Sequence, residues 1–192
     1  KNINQISEQA FLLDFGDEIT KEVNQNVINV FYYIYKLLQK DNFLDLKNCT
    51  PSYNKLLLQF NPVKKNKNEI FDFINAIDVA TIESQTSHKE IEIPICYDEE
   101  FALDLHDVSM KTNIDENMII KSHLSTIFFV YMIGFMPGLP FMGDLQSNLS
   151  VSRLITPRVR VPSRSVGVVE KFCVIYPNES PGGWNIIGRT PI

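Results

Sequence analysis

A two-part α+β chain is predicted, with a small split α/β domain over residues 1–85 and a mainly β barrel over residues 86–192. Three observations carry this. The first half alternates strand-length apolar runs with two longer segments whose apolar residues recur at three- and four-residue steps. The second half changes to short apolar runs between Pro- and Gly-rich turns, the pattern of a small barrel. Between them, Glu83-Ser-Gln-Thr-Ser-His-Lys89 holds no large apolar residue and breaks the periodicity, as a domain link does.

In order along the chain, Glu8–Phe15 reads as a strand ended by Gly16-Asp17. Thr20 is an N-cap, with Glu22 in the first turn where the helix dipole favours a carboxylate. The helix runs to Lys40, with Ile19, Val23, Val27, Val30, Phe31, Ile34, Leu37 and Leu38 on one face and Lys36 and Lys40 near its end. Tyr32, Tyr33 and Tyr35 form a rim, read as core or helix–sheet packing rather than a binding platform. Phe43–Cys49 is a second strand, Thr50-Pro51-Ser52 a turn, and Tyr53–Phe60 a third strand stopped by Asn61-Pro62. Lys64-Lys65-Asn66-Lys67 has no Gly-rich cradle and reads as a solvated turn. Glu69–Ala80 is a second helix with Ile70, Phe73, Ile74 and Ile77 inward. Ile91–Cys96 alternates as a strand, with Pro94 tolerated at an edge. Strand, helix, strand, strand, helix, strand is the ferredoxin-like split motif.

Beyond the link, a helix starts near Phe101 and carries Leu105 and Val108 inward. Asp115–Leu124 is a short helix and Ile127–Ile133 a buried strand. Short strands follow at Arg153–Thr156, Val159–Val161, Ser165–Val169, Phe172–Tyr176 and Trp184–Ile187. Two segments are turn-rich. Gly134-Phe-Met-Pro-Gly-Leu-Pro-Phe-Met-Gly143 alternates Gly and Pro with large apolar side chains and reads as a rigid loop, the lip of a pocket, not a helix or central strand. Ser180-Pro-Gly-Gly-Trp-Asn-Ile-Ile-Gly-Arg-Thr-Pro191 combines a Pro-Gly-Gly turn with the single Trp and an arginine.

With 192 residues and 44% hydrophobic content, the chain can build one large or two small cores. A net charge of -5 gives no basic field, which argues against nucleic acid as a partner. No apolar run of about 18 residues suggests a membrane helix. The polar Lys1–Gln9 segment lacks a signal core, so the cytoplasm is the expected location. Cys49, Cys96 and Cys173 are widely spaced without a C-x-x-C, which reads as plain thiols, with no disulfide framework or metal site. Phosphate-loop, H-E-x-x-H and G-x-S-x-G patterns are missing, and no catalytic residue is assigned.

Three ordered blocks, GF-x-PG-x-P-F-x-G from Gly134, TPR-x-x-VP-x-x-SVG from Thr156 and YP-x-x-SPGGW-x-IIGRTP from Tyr176, closely resemble the KipI family. That family also comprises first subunits of allophanate hydrolase-type carboxyltransferase domains and B subunits of bacterial 5-oxoprolinase. The resemblance implies a ferredoxin-like domain followed by a cyclophilin-like barrel, with further strand past the position of Ile192. It implies ATP-dependent opening of 5-oxoproline to glutamate, or the equivalent half of a urea-carboxylase-type carboxyltransferase. The chain would act only with a KipA-type subunit and a LamB/YcsF-type subunit, and ATP would bind through the assembled complex. The alternative it implies is an inhibitor holding the dimerisation domain of a sensor histidine kinase; prolyl isomerisation is suggested by the barrel analogy alone. One stretch departs from the family: Phe172, Cys173 and Val174 stand where Gln, Thr and Gly are usual, which removes polar partners and favours binding over chemistry.

The candidate site combines these turns. Gly134, Phe135, Pro137, Gly138, Leu139 and Phe141 supply the apolar lip, and Gly182, Gly183 and Trp184 a second wall, with ordinary core as the other reading for the aromatics. Arg158 and Arg189, with Ser165, match the family blocks and are placed at the pocket, where a guanidinium can grip a carboxylate bidentately. Arg160 and Arg164 read as loop ties or solvated charges. His123 has two readings, a structural hydrogen-bonding imidazole or one that faces the groove. His88 and His106 read as surface residues.

Overall fold

The computed structural model describes residues 1–40, 45–84 and 89–192. Two compact units divide it, Lys1–Lys89 and Glu90–Ile192, and each mixes helices with antiparallel sheet. The expected link falls largely on residues 85–88, His88 among them, which lie outside the described residues, as do Phe43 and Leu44 of the expected second strand.

In the first unit, β1 (Asn2–Ser7), β2 (Ala10–Asp14), β3 (Leu46–Pro51) and β4 (Lys55–Phe60) form an antiparallel sheet in the order β1-β2-β4-β3. β4 falls within the expected third strand, and Leu56, Leu58 and Phe60 are buried. They meet Val27, Val30 and Ile34 of α1 (Lys21–Lys40) and Ile70 and Ile74 of α2 (Lys67–Ala76) in one apolar cluster. Thr20 Oγ1 accepts the Val23 N–H at 3.2 Å, capping α1 as expected. Asn66 caps α2 by accepting the Asn68 N–H, so this helix starts inside the basic run and ends at Ala76 rather than Ala80. Tyr32, Tyr33 and Tyr35 are exposed rather than packed into the core; Tyr35 stacks on Phe31.

Two strand assignments change here. Ile91–Cys96 does not join this sheet; Cys96 instead makes an isolated bridge with Arg189 in the second unit. The edge beside β2, where the motif's last strand would pair, is taken by β1, whose Ile3 alone packs against the core. A polar edge strand offers too little alternation to be read from sequence. At the opposite edge, Thr50 and Pro51 extend β3 and the turn shifts to residues 52–54, with the Ser52 N–H donating to the Lys55 carbonyl.

The second unit holds α3 (Leu105–Thr112), α4 (Glu116–Leu124) and β5 (Phe129–Ile133), β6 (Pro140–Gly143), β7 (Arg158–Val161), β8 (Ser165–Val169), β9 (Phe172–Ile175), β10 (Ser180–Gly182) and β11 (Asn185–Arg189). A five-stranded sheet runs β11-β8-β9-β6-β5, and β10 pairs with β7. The sheet separates two apolar clusters by the period of two. Val166, Val168, Cys173 and Ile187 join Leu105, Val108 and Ile119 of the helices, whereas Val169, Val174 and Ile186 join Leu139, Tyr176 and Trp184. Arg153–Thr156 is not a strand, although its Leu154 N–H donates to the Gly183 carbonyl. Conversely, Pro140–Gly143, read as loop, forms β6 in the sheet interior; proline is tolerated because it is the first residue of the strand.

Candidate functional site

The Gly182-Gly183-Trp184 turn is shaped by close approach. A Cβ on Gly182 would lie 2.5 Å from the Tyr176 hydroxyl, and one on Gly167 would lie 3.0 Å from the Trp184 Cβ and 3.4 Å from Tyr176 Cε2. Only glycine at these points lets the phenol and the indole pack this deeply. Trp184 is 8% exposed, and its ring sits 5.9 Å from Phe141 in an edge-on arrangement. The Arg153 guanidinium lies 6.0 Å from the indole centroid. Tyr176 is 2% exposed, and its hydroxyl makes no hydrogen bond among the described residues.

Arg158 stands beside this turn, in register with Gly182. Its two terminal nitrogens donate to Asp104 at 2.8 and 2.5 Å. Asp104, 2% exposed, also accepts the Ile186 N–H at 2.6 Å, while its own N–H donates to the Ile186 carbonyl at 2.8 Å. One carboxylate therefore fastens the start of α3, the arginine of β7 and the middle of β11. Such a buried pair is expensive to break because one charge is then left unpaired.

The remaining arginines are tied within the chain. Arg189 Nε donates to the Ser163 carbonyl at 2.9 Å and its guanidinium lies 5.9 Å from the Phe101 ring centre. Its backbone pairs with Cys96 and, across β8 and β11, with Ser165, whose carbonyl accepts the Tyr176 N–H. Arg164, at φ 71, donates to the Pro191 carbonyl at 2.8 Å, and Arg160 to Glu179 at 2.8 Å on the surface.

His123 occupies the other face of the sheet. Only 4% exposed, it holds the Tyr97 hydroxyl at 2.8 Å through Nδ1 and approaches the Cys173 sulfur at 3.5 Å through Nε2, with Phe128 against its ring. Burial pulls its pKa down to about 4, so the imidazole is neutral at pH 7. Burial likewise pushes the Cys173 thiol up to about 12. A neutral imidazole between a phenol and a thiol is a satisfied core group.

In the Gly134 loop, the Gly134 N–H donates to the Leu139 carbonyl at 3.1 Å. Gly138 has φ 84 and lies against Pro177, whereas Phe135, at φ 67, is 69% exposed. Pro137 lies between them, Leu139 is buried in the Trp184 cluster, and Phe141 is packed against it. The structure thus brings together Phe141, Arg158, Gly182, Gly183 and Trp184, sets Ser165 beside Arg189 in the register, and puts His123 by Cys173 on the opposite sheet face. The departing run Phe172-Cys173-Val174 is β9, with Cys173 and Val174 buried in the two clusters. Cys173 and Val174 pack the core and are not presented to a partner, while Phe172 is half-buried.

Sequence reading missed Arg153, Asp104, Tyr97 and Tyr176. Arg153 reads as part of a strand, and Asp104 as one more polar residue at a helix start. Nothing local marks either, because their partners lie far along the chain. Among the described residues, no group of His, Cys, Asp and Glu could hold a metal ion.

The carboxyltransferase domain model, subdomain C and D, matches residues 1–192. The B subunit of 5-oxoprolinase from Bacillus subtilis is 28% identical, over 99% of this chain and 82% of that protein. The B subunit of 5-oxoprolinase from Haemophilus influenzae is 45% identical over 53% of this chain and 48% of its own length, so the match spans about half of that relative. Among solved structures, TTHA0988 superposes with a TM-score of 0.80 at 27% identity, over 96% of this chain and 35% of that one. The three glycine-rich blocks and the whole-chain match agree, and the chain belongs to the carboxyltransferase domain, subdomain C and D, family.

Proposed function

We propose that the chain is the B subunit of an ATP-dependent 5-oxoprolinase, converting 5-oxo-L-proline to L-glutamate with KipA-type and LamB/YcsF-type partner subunits. The observation that carries this reading is the similarity to the Bacillus subtilis 5-oxoprolinase protein along 99% of the chain. In this reading the first unit is a ferredoxin-like domain in which β1 replaces the motif's last strand, and the second is a cyclophilin-like barrel. ATP is bound by the assembled complex in the cytoplasm.

This chain contributes a substrate-facing wall. The Trp184–Phe141 pair gives an apolar surface to a lactam ring, and the Asp104–Arg158 pair fixes the turn that carries it. The exposed Phe135 loop and Gly138 face a partner subunit. Arg189, held through Nε by Ser163, keeps its terminal nitrogens oriented beside Phe101 for charge developing during ring opening.

The test is reconstitution with both partner types and assay of glutamate release from 5-oxoproline. ATP-dependent release that requires this chain is the expected result. A complete, folded complex without turnover contradicts the reading.

A further inference from the structure

Tyr176 is a buried tyrosine of the Trp184 cluster, and its hydroxyl has no partner among the described residues. A phenol oxygen without a protein partner is available to an outside hydrogen-bonding group wherever it keeps some accessible surface. The Tyr176 ring is buried, with the residue 2% exposed overall; its hydroxyl oxygen is not among the fully buried unpaired atoms, so it is open to an outside partner. The oxygen sits against Gly182, where any side chain would collide with it. The Trp184 Cβ and the Tyr176 ring both approach Gly167, and the exposed Arg153 has its guanidinium 6.0 Å from the indole centroid.

The charges around this point leave a surplus. Arg158 is neutralised by Asp104, whose carboxylate is already shared with Ile186. Arg153 makes no ion pair among the described residues, so the cluster carries one uncompensated positive charge. Burial pushes the Tyr176 phenol up to about 12, and the positive charges of Arg153 and Arg158 oppose that rise.

We propose that Arg153, the Tyr176 hydroxyl and the Trp184 ring form a binding site for the carboxylate of a small organic acid. A monoanion matches the single spare charge. A planar carboxylate matches the guanidinium fork, with the phenol donating to an oxygen and the indole covering the carbon skeleton. A phosphate dianion would call for more donors than the site presents. The identity of that acid as 5-oxoproline rests on the function proposed above; the carboxylate site itself does not.

Trp184 is the single Trp of the chain, so intrinsic fluorescence reports this site directly. The full chain is titrated with 5-oxoproline, acetate, 2-pyrrolidone (the same ring without the carboxylate) and inorganic phosphate. Saturable change is expected with the carboxylates and none with 2-pyrrolidone. Arg153→Ala should weaken binding by roughly tenfold or more, and Tyr176→Phe by about three- to tenfold, both with unchanged melting. A flat titration of the native chain, equal affinity for 2-pyrrolidone, or binding unaltered in Arg153→Ala overturns the site. Preference for phosphate overturns the carboxylate assignment. Saturation by carboxylates in a chain whose reconstituted complex lacks turnover keeps the site and removes the oxoprolinase reading; a flat titration beside an active complex does the reverse.

Discussion

Two tyrosines pack on opposite faces of one sheet, and their hydroxyls are treated differently. Tyr97, half-buried, has its hydroxyl 2.8 Å from His123 Nδ1, and that imidazole continues to Cys173. Tyr176, packed more deeply, ends on a glycine with no polar partner among the described residues. The first arrangement has every polar group answered within the chain, as a core requires. In the second, an open hydrogen bond and a spare arginine await an outside group. Completeness of the hydrogen bonding separates the structural cluster from the candidate site better than residue type does.

The largest effect should come from the bond that supports the open side. Arg158→Ala leaves the buried Asp104 carboxylate unpaired and should destabilise the second unit by about 3–5 kcal/mol, read by thermal or denaturant unfolding. Replacing Arg153, which is exposed, should change stability by no more than about 0.5 kcal/mol. Equal losses would erase the distinction between tie and ligand group.

Next in size is the pH dependence of the closed side. His123 has a pKa near 4 when folded and an ordinary value of 6.5. The unfolded chain therefore binds a proton that the folded chain refuses as pH falls from about 6.5 to about 4. Stability from this residue is complete above 6.5 and is lost through that window, by ~3 kcal/mol in total. Unfolding measured across that range should show a steeper acid loss in the native protein than in His123→Gln; parallel curves would mean that the imidazole titrates normally.

The smallest effects sharpen the comparison most. Tyr97→Phe strands His123 Nδ1 and should cost about 1–2 kcal/mol. Tyr176→Phe removes a hydroxyl that satisfies nothing and should leave stability within about 0.5 kcal/mol, or raise it. A large loss in Tyr176→Phe would show that its hydroxyl is already partnered.

Local signals in the sequence identify what is locally caused. The apolar run of β4, the Thr20 cap and the apolar strand after Trp184 each reflect neighbours within a few residues. The glycine-rich blocks indicate the family, and with it Arg158, Trp184 and Phe141 as neighbours. The edge strand β1 escapes because a polar strand buries almost only Ile3, and Ile91–Cys96 misleads because alternation cannot say which sheet a strand joins. Asp104 and Tyr176 are invisible for a related reason. Their meaning lies in contacts with Arg158, Ile186 and Gly182, which only the folded chain brings near.

The most direct measurement is NMR of the chain labelled at the tyrosine ζ-carbons, titrated with 5-oxoproline. The Tyr176 signal should move saturably while that of Tyr97 stays in place. A Tyr176 signal that does not move, or that moves no more than that of Tyr97, would contradict the carboxylate site.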